Sequence, residues 1–179
     1  DDGSYHIGPL VHGMVSTTDS TASLEAIAHP HLIDLSEELD EAACFSIVSG
    51  DDTITVDQVD APKPIQAENW TGTRVPMHAG SAGIVVMATW DDHDFTTNLA
   101  TLNDNTVTDP DKLRPRIRQA CVRRVLWSHG EYVDGLSSCS SPVIGGSGRA
   151  LGVLYVYGPS FRFPAEGDAD RIAAIVLDR

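Results

Sequence analysis

An α+β fold is predicted for this chain, with helices flanking a central antiparallel β-sheet. The spacing of apolar residues along the 179 residues changes from a helical pattern to an alternating one and back again. The alternating segments come in pairs joined by short turns of small and polar residues, as in antiparallel hairpins. Because 41% of the residues are hydrophobic, the chain can bury a layered core of its own.

The first predicted element is helical. Its apolar residues follow one another at steps of four, four, three and four, and they are Leu24, Ala28, Leu32, Leu35 and Leu39. Pro30 interrupts this stripe, so the sequence predicts either two helices or one helix kinked at His29. The stripe is predicted to be exposed and to offer a surface for symmetric association.

Strands are predicted next. Apolar residues alternate within 45–47 and again within 54–56, on either side of the turn-forming segment 49–52, which indicates a hairpin. A further strand is predicted over 62–70. Two prolines lie at its start, so this strand is expected to begin irregularly or to lie at a sheet edge.

The middle of the chain contains two predicted helices. Residues 84–88 are rich in β-branched side chains, which favour a strand, but the small residues before them and their unbroken apolarity also allow a buried helix. The helix is preferred on the resemblance described below. Further along, Thr108 is predicted to cap a helix, with Pro110 in the first turn and Asp111 completing a capping box. This helix is predicted to end near Val125.

Two strands and a helix complete the prediction. The strands, 140–144 and 149–157, are joined by the glycine-rich segment 145–148. A hairpin turn is favoured there over a phosphate cradle, because the GxxxxGK[ST] spacing is missing. Both faces of 149–157 carry apolar or aromatic residues, so this strand is predicted to be central and covered on both sides. The last helix is predicted over 168–178.

Charge and cysteine content narrow the function classes. The 12 basic and 26 acidic residues give a net charge of −14, so the chain should repel phosphate backbones and bind nucleic acid poorly by itself. The arginines crowded into 114–124 are interpreted as a solvated helix face. Three widely separated cysteines indicate a reducing compartment without a disulfide framework. No apolar run is long enough for a membrane span, and no cofactor is predicted.

The segment around Ser81 carries the strongest site signal. Small residues fill 79–83 and precede an apolar run. Small residues let the backbone approach a ligand closely, and a helix starting there would direct free N–H groups at a small anion. The alternative is an enzyme with Ser81 as nucleophile and His78 as its base. That reading lacks a GxSxG elbow and an orienting acid.

Two further features could belong to the same site. Tyr155 and Tyr157 share one face of a predicted strand, where they are either core residues with satisfied hydroxyls or phenols that project into a ligand cavity. The polar run 137–141 supplies serine hydroxyls, which would act as hydrogen-bond donors if the run lies beside that cavity.

Several segments, taken in order, resemble the effector-binding domain of IclR-type transcriptional regulators. They are Ile27–Leu32, Ile54–Val59, Val75–Gly83, Glu131–Leu136, Ser141–Val143 and Leu154–Pro159. No single segment decides the match, but their order and spacing are specific, and the resemblance runs from about residue 19 to residue 179. It implies a GAF-like domain with an antiparallel sheet flanked by helices.

The resemblance also implies a domain organisation. Residues 1–18 correspond to the end of a winged-helix wing and a linker, and 19–179 correspond to the effector-binding domain. Operator DNA would be bound in the cytoplasm by a homodimer or homotetramer, through an N-terminal domain absent from this chain. Two other interpretations stay open, a small-molecule enzyme and a free-standing GAF-like scaffold that does not bind DNA.

The effector implied by the resemblance is a small organic acid. Its backbone contacts would be the N–H groups of the segment Gly80, Ser81 and Ala82. Side-chain contacts and apolar walls would come from Ser138, Tyr155, Tyr157, Ala67, Val75 and Leu136. Family members that bind very small carboxylates carry an acidic residue in place of Ser128, a cysteine in place of Ser138, and compact polar residues in place of the two tyrosines. Ser128 is included among the expected effector contacts, and the two tyrosines either shrink the cavity or favour an aromatic or hydroxylated acid.

Overall fold

The computed structural model describes residues 9–64, 68–90 and 99–179, with side chains at residue 22 and from residue 24 onwards. The elements in chain order are α1 (Pro9–Leu39), β1 (Ala42–Ser49), β2 (Asp52–Val59), β3 (Arg74–Pro76), α2 (Ser81–Met87), α3 (Pro110–Arg123), β4 (Leu126–His129), β5 (Leu136–Ile144), β6 (Ala150–Pro159) and α4 (Ala169–Asp178). A single 3₁₀ turn, Met77–Ala79, leads into α2.

The strands form one six-stranded sheet in the order β3-β2-β1-β6-β5-β4, and every neighbouring pair is antiparallel. β6 lies between β1 and β5, as its two covered faces predict. β3 and β4 are the two edge strands. The predicted α+β class, with helices flanking a central antiparallel sheet, is confirmed.

One face of the sheet packs against α1 and α4. Leu32 and Leu35 of α1 and Ile172 of α4 are buried against Phe45 and Val156 of the sheet. The apolar stripe of α1 therefore faces the core of its own domain, and the prediction that it is exposed is wrong. Packing against the sheet is favourable because it removes the apolar side chains of the stripe from water.

The other face packs against α2 and α3. Ile84 of α2 and Ile117 of α3 are fully buried with Val153 of β6, so residues 84–88 adopt the helical alternative. Gly83 permits this packing, since a Cβ added there would fall 2.2 Å from the backbone of Met77. Every other residue type would push α2 away from the preceding 3₁₀ turn.

α1 continues through Pro30 as one helix, which agrees with the single-helix alternative and excludes two separate helices. Two local predictions are wrong. The predicted strand over 62–70 is absent from its described part: Pro62–Pro64 and Glu68–Trp70 lie outside any strand. Two prolines lack donors there, and the N–H of Trp70 donates to the side chain of Gln58 at 2.9 Å rather than to a strand.

The second error concerns the start of α3. Asp109, not Thr108, is the N-cap, and its side chain accepts a hydrogen bond from the backbone N–H of Asp111 at 2.9 Å. Thr108 lies one position too early to reach that donor. The predicted wing end at residues 1–8 lies outside the described residues. None of the described helices combines the length and apolarity that a membrane crossing requires.

Candidate functional site

A cavity lies between the sheet and the first turn of α2. About 80 Å³ of this cavity is open to water, which suits several waters or one small organic molecule. Its wall consists of Ser46, Thr53, Thr55, Trp70, Val75, Gly80, Ala82, Ser128, Glu131, Tyr132, Val133, Leu136, Ser137, Ser138, Tyr155 and Tyr157.

The structure brings most of the predicted site residues together around this cavity. Those on its wall are Val75, Gly80, Ala82, Ser128, Leu136, Ser138, Tyr155 and Tyr157. Ser81 is fully buried beside the wall rather than on it. Ala67 lies outside the described residues, so its predicted role as an apolar wall stays a prediction.

Four serine hydroxyls run from the buried interior to the cavity. Ser81 Oγ lies 2.6 Å from Ser140 Oγ and 2.8 Å from Ser138 Oγ, and Ser138 Oγ lies 3.1 Å from Ser128 Oγ. Each hydroxyl has one proton to donate. The four groups of this serine chain share three hydrogen bonds, so one proton is left over. With all bonds oriented towards the cavity, the free donor is the hydroxyl of Ser128.

The phenol groups of the two tyrosines already have protein partners. Tyr155 Oη lies 2.8 Å from Thr55 Oγ1, and Tyr157 Oη donates to the carbonyl oxygen of Glu68 at 2.8 Å. Burial raises the pKa of both phenols above the usual tyrosine range, so both are neutral. The rings therefore line the cavity while their hydroxyls bond to the protein, which combines features of both predicted alternatives.

Among the described residues on the cavity wall, Glu131 is the one with an acidic side chain, and none has a basic one. Its carboxylate accepts two hydrogen bonds from the guanidinium of Arg116, at 2.6 and 2.7 Å. A bidentate pair of this kind neutralises the carboxylate where it is buried. Arg116 also donates to the carbonyl oxygen of Trp127 at 3.3 Å. The cavity is therefore close to electrically neutral, with acceptor and donor groups but no cationic side chain on the described wall.

Comparison with known proteins decides the family. A family model described as bacterial transcriptional regulator IclR C-terminal matches residues 16–179. The chain belongs to the IclR family. The HTH-type transcriptional regulator Rv1719 of Mycobacterium tuberculosis is 30% identical over 165 residues, which cover 90% of this chain and 62% of that relative. The chain thus spans less than two thirds of that regulator's length.

Solved structures agree with this assignment. A transcriptional regulator from Rhodococcus sp. RHA1 superposes with a TM-score of 0.80 and 26% identity, covering 95% of this chain and 71% of that one. An IclR homolog from Microbacterium hydrocarbonoxydans, complexed with 4-hydroxybenzoate, superposes with a TM-score of 0.73 and 18% identity, covering 87% and 64%. These folds support the GAF-like architecture of this IclR-family effector-binding domain.

An enzyme is not supported in this IclR-family domain. Its relatives are named as transcriptional regulators, and the proposed hydrolase pair is not assembled. His78 Nε2 lies 2.9 Å from the carbonyl oxygen of Ala100, while the Ser81 hydroxyl is engaged by the serine chain. Within the described residues, no group of three His, Cys, Asp or Glu side chains is placed to hold a metal ion.

Several wall residues of this IclR-family cavity were missed by sequence reasoning. Trp70 comes from the irregular segment before β3, and Glu131 and Tyr132 come from the loop after β4. Neither segment has a periodicity that would assign its side chains to a face. Thr53 and Thr55 could have been found, because alternate residues of β2 must face the same side of the sheet as the cavity.

Proposed function

We propose that the cavity binds a small aromatic acid as effector, and that binding changes the affinity of the whole regulator for operator DNA. The observation that carries the proposal is the composition of the cavity wall. It combines aromatic rings, a hydrogen-bond donor at the end of the serine chain, and a carboxylate that an arginine already neutralises. DNA binding would be performed by an N-terminal domain that lies outside this chain.

The acid end of the effector is assigned to the corner formed by Gly80, Ala82, Ser128 and Ser138. Hydroxyl groups supply donors there, and the pairing of Glu131 with Arg116 removes the negative charge that would otherwise repel a carboxylate. Contacts from the backbone N–H groups of Ser81 and Ala82 stay part of the proposal. Because no cationic side chain lines the described wall, binding should be modest and reversible, as suits a sensor.

The aromatic part of the effector is assigned to the tyrosine-lined wall. Tyr155 and Tyr157 present rings whose centroids lie 6.1 Å apart, and flat ligands pack well against such walls. The structural neighbour that holds 4-hydroxybenzoate has the same fold, which supports an acid of this class. Its identity to this chain is too low to transfer the ligand itself.

Titration of candidate acids into this chain tests the proposal. Calorimetry with 4-hydroxybenzoate should show one saturable site, and an excess of about 100 times Kd should stabilise the fold by about 2.7 kcal/mol. Replacing Ser128 by alanine, which removes the free donor at the end of the serine chain, should weaken binding by roughly tenfold, because a hydrogen bond to a charged group is lost. Equal binding by parent and variant would refute the assigned corner.

Assembly and DNA binding belong to the same proposal. With a net charge of −14, this chain should show no tight binding to duplex DNA in a mobility-shift assay at physiological salt.

The whole regulator is proposed to act as a homodimer or homotetramer. On the outer face of α1, Ile27 is 65% exposed. If light scattering detects only monomers of this chain at tens of micromolar, the contacts between subunits are made by other parts of the regulator.

A further inference from the structure

Two aromatic side chains outside the predicted site meet at the cavity. Trp70 and Tyr132 both line it, and their ring centroids lie 5.7 Å apart at an interplanar angle of 67°. Trp70 precedes the edge strand β3, whereas Tyr132 follows the opposite edge strand β4. The curled sheet thus brings the loops at its two edges together, and the two rings join them across the cavity.

The tryptophan is held in this position from several sides. Its backbone N–H donates to Gln58 Oε1 at 2.9 Å, and the hydroxyl of Tyr157 holds the carbonyl of Glu68, two residues earlier, at 2.8 Å. The Tyr157 ring also lies edge-on to the indole, with centroids 6.4 Å apart. An indole fixed in this way loses little conformational freedom when a ligand packs against it.

We infer that Trp70 and Tyr132 form an aromatic clamp that makes the cavity selective for a planar aromatic ring over a saturated ring of the same size. The inference rests on the proposed function, since it concerns the ring of the acid bound there. Ordered aromatic faces and edges attract a flat π-system beyond the effect of buried area alone, whereas a puckered saturated ring gains only the area. The clamp therefore makes the cavity prefer an aromatic ring to a saturated one, whereas the serine chain makes it prefer a ligand with a carboxylate.

A pair of probes separates these contributions. Benzoate and cyclohexanecarboxylate carry the same carboxylate on a six-membered ring and differ in whether that ring is flat. Calorimetry on the parent chain should give a Kd for the aromatic acid lower by roughly two- to tenfold. Trp70→Leu and Tyr132→Leu should each lower the ratio of the two Kd values towards one, with the rings of Tyr155 and Tyr157 keeping the remainder, whereas Trp70→Phe, which keeps a ring, should lower it less.

The control variant is Trp127→Phe, because Trp127 lies away from the cavity and packs on His129 and Phe163. It should leave the ratio unchanged, and circular dichroism should show that all variants keep the fold. Tyr132→Leu lies in a loop and serves as the test if Trp70→Leu does not fold. Equal affinity of the parent for both acids, or an unchanged ratio in the leucine variants, would overturn the clamp and leave the proposed function standing. Failure of both acids to bind the parent would overturn both.

Discussion

Gly80 offers the sharpest test of where the acid group of the effector binds. Its backbone is extended, a conformation open to every residue type, and a Cβ added there would meet Ser128 Oγ at an ordinary 3.9 Å. A side chain introduced at this position therefore fits the fold and projects towards the corner assigned to the effector carboxylate. Gly80 is also the N-cap of α2, where exchange of glycine for aspartate or asparagine changes stability by only a few tenths of a kcal/mol.

Gly80→Asp and Gly80→Asn form a matched pair that differs in charge and hardly in size. Two like charges about 4 Å apart repel by about 4 kcal/mol at an effective dielectric constant of about 20. The aspartate variant should therefore bind 4-hydroxybenzoate more weakly than the asparagine variant by roughly 10³-fold, or beyond detection. Some loss in the asparagine variant is expected from lost space alone, so the comparison between the two variants isolates the charge.

Calorimetry measures the affinities, and thermal melting without ligand checks that both variants keep the stability of the parent. Affinities of the two variants that agree within a factor of about two would refute the reasoning. In that case a carboxylate does not bind near Gly80 and Ser128. A neutral analogue, 4-hydroxybenzamide, should lose much less affinity on going from the asparagine to the aspartate variant, because it carries no charge to be repelled.

Three further predictions concern stability and chemistry. Arg116→Met should cost roughly 2–4 kcal/mol of unfolding free energy, because it leaves Glu131 buried without a partner, and adding Glu131→Gln should restore much of the loss in denaturant titrations. Tyr157→Phe removes the hydrogen bond from the Tyr157 hydroxyl to the carbonyl of Glu68, which helps to hold Trp70 in place. The variant should lose about 0.5–1.5 kcal/mol of unfolding free energy and bind 4-hydroxybenzoate more weakly. An unchanged unfolding free energy and an unchanged Kd would contradict this role of the hydrogen bond. Burial raises the pKa of Cys139 from 9.0 to about 12, so the unfolded thiol loses its proton first. The unfolding free energy should then fall between pH 9 and 12, by at most about 1.4 kcal/mol per pH unit from this group, and Cys139→Ala should remove that part of the slope. In the native protein the exposed Cys121 should react with a thiol reagent much faster than Cys139.

The fold could be predicted where the apolar pattern decides the element by itself. The hairpin of β1 and β2, the pair β5 and β6 and the helix α4 all follow from spacing and turn residues, and their bounds differ from the prediction by a few residues. The helix α2 needed more than propensity, since its β-branched residues equally favour a strand, and the resemblance decided the prediction. Gly83 in the first turn of α2, which permits close packing on the 3₁₀ turn, gives the physical reason for a helix.

Tertiary packing explains the errors and also decides between the two alternatives at Pro30. A proline weakens an isolated helix, but α1 is buried along one side and remains one helix. The apolar stripe of α1 was assigned to the surface because a helical stripe by itself does not tell whether its partner is the same chain or another. The segment 62–70 has the composition of a strand, but its described backbone groups find side-chain partners such as Gln58 instead of a neighbouring strand.

The residues of the candidate site also fall into two groups, those that the sequence pattern could place and those that it could not. Residues on regular elements, such as Tyr155 and Tyr157, could be placed on one face of the sheet from their alternation alone. Trp70, Glu131 and Tyr132 could not, because they come from loops that meet only when the sheet curls. The ion pair between Arg116 and Glu131 was hidden for a similar reason, since an arginine in a basic helical segment is usually solvated.

A crystal structure of this chain grown with 4-bromobenzoate tests the central claim most directly, because anomalous scattering locates the bromine independently of the protein density. The account predicts a single bromine peak inside the cavity, among Tyr155, Tyr157 and Trp70, with the carboxylate at Ser128 and Ser138. A bromine peak elsewhere on the molecule, or an empty cavity in crystals grown under conditions where calorimetry shows saturation, would contradict it.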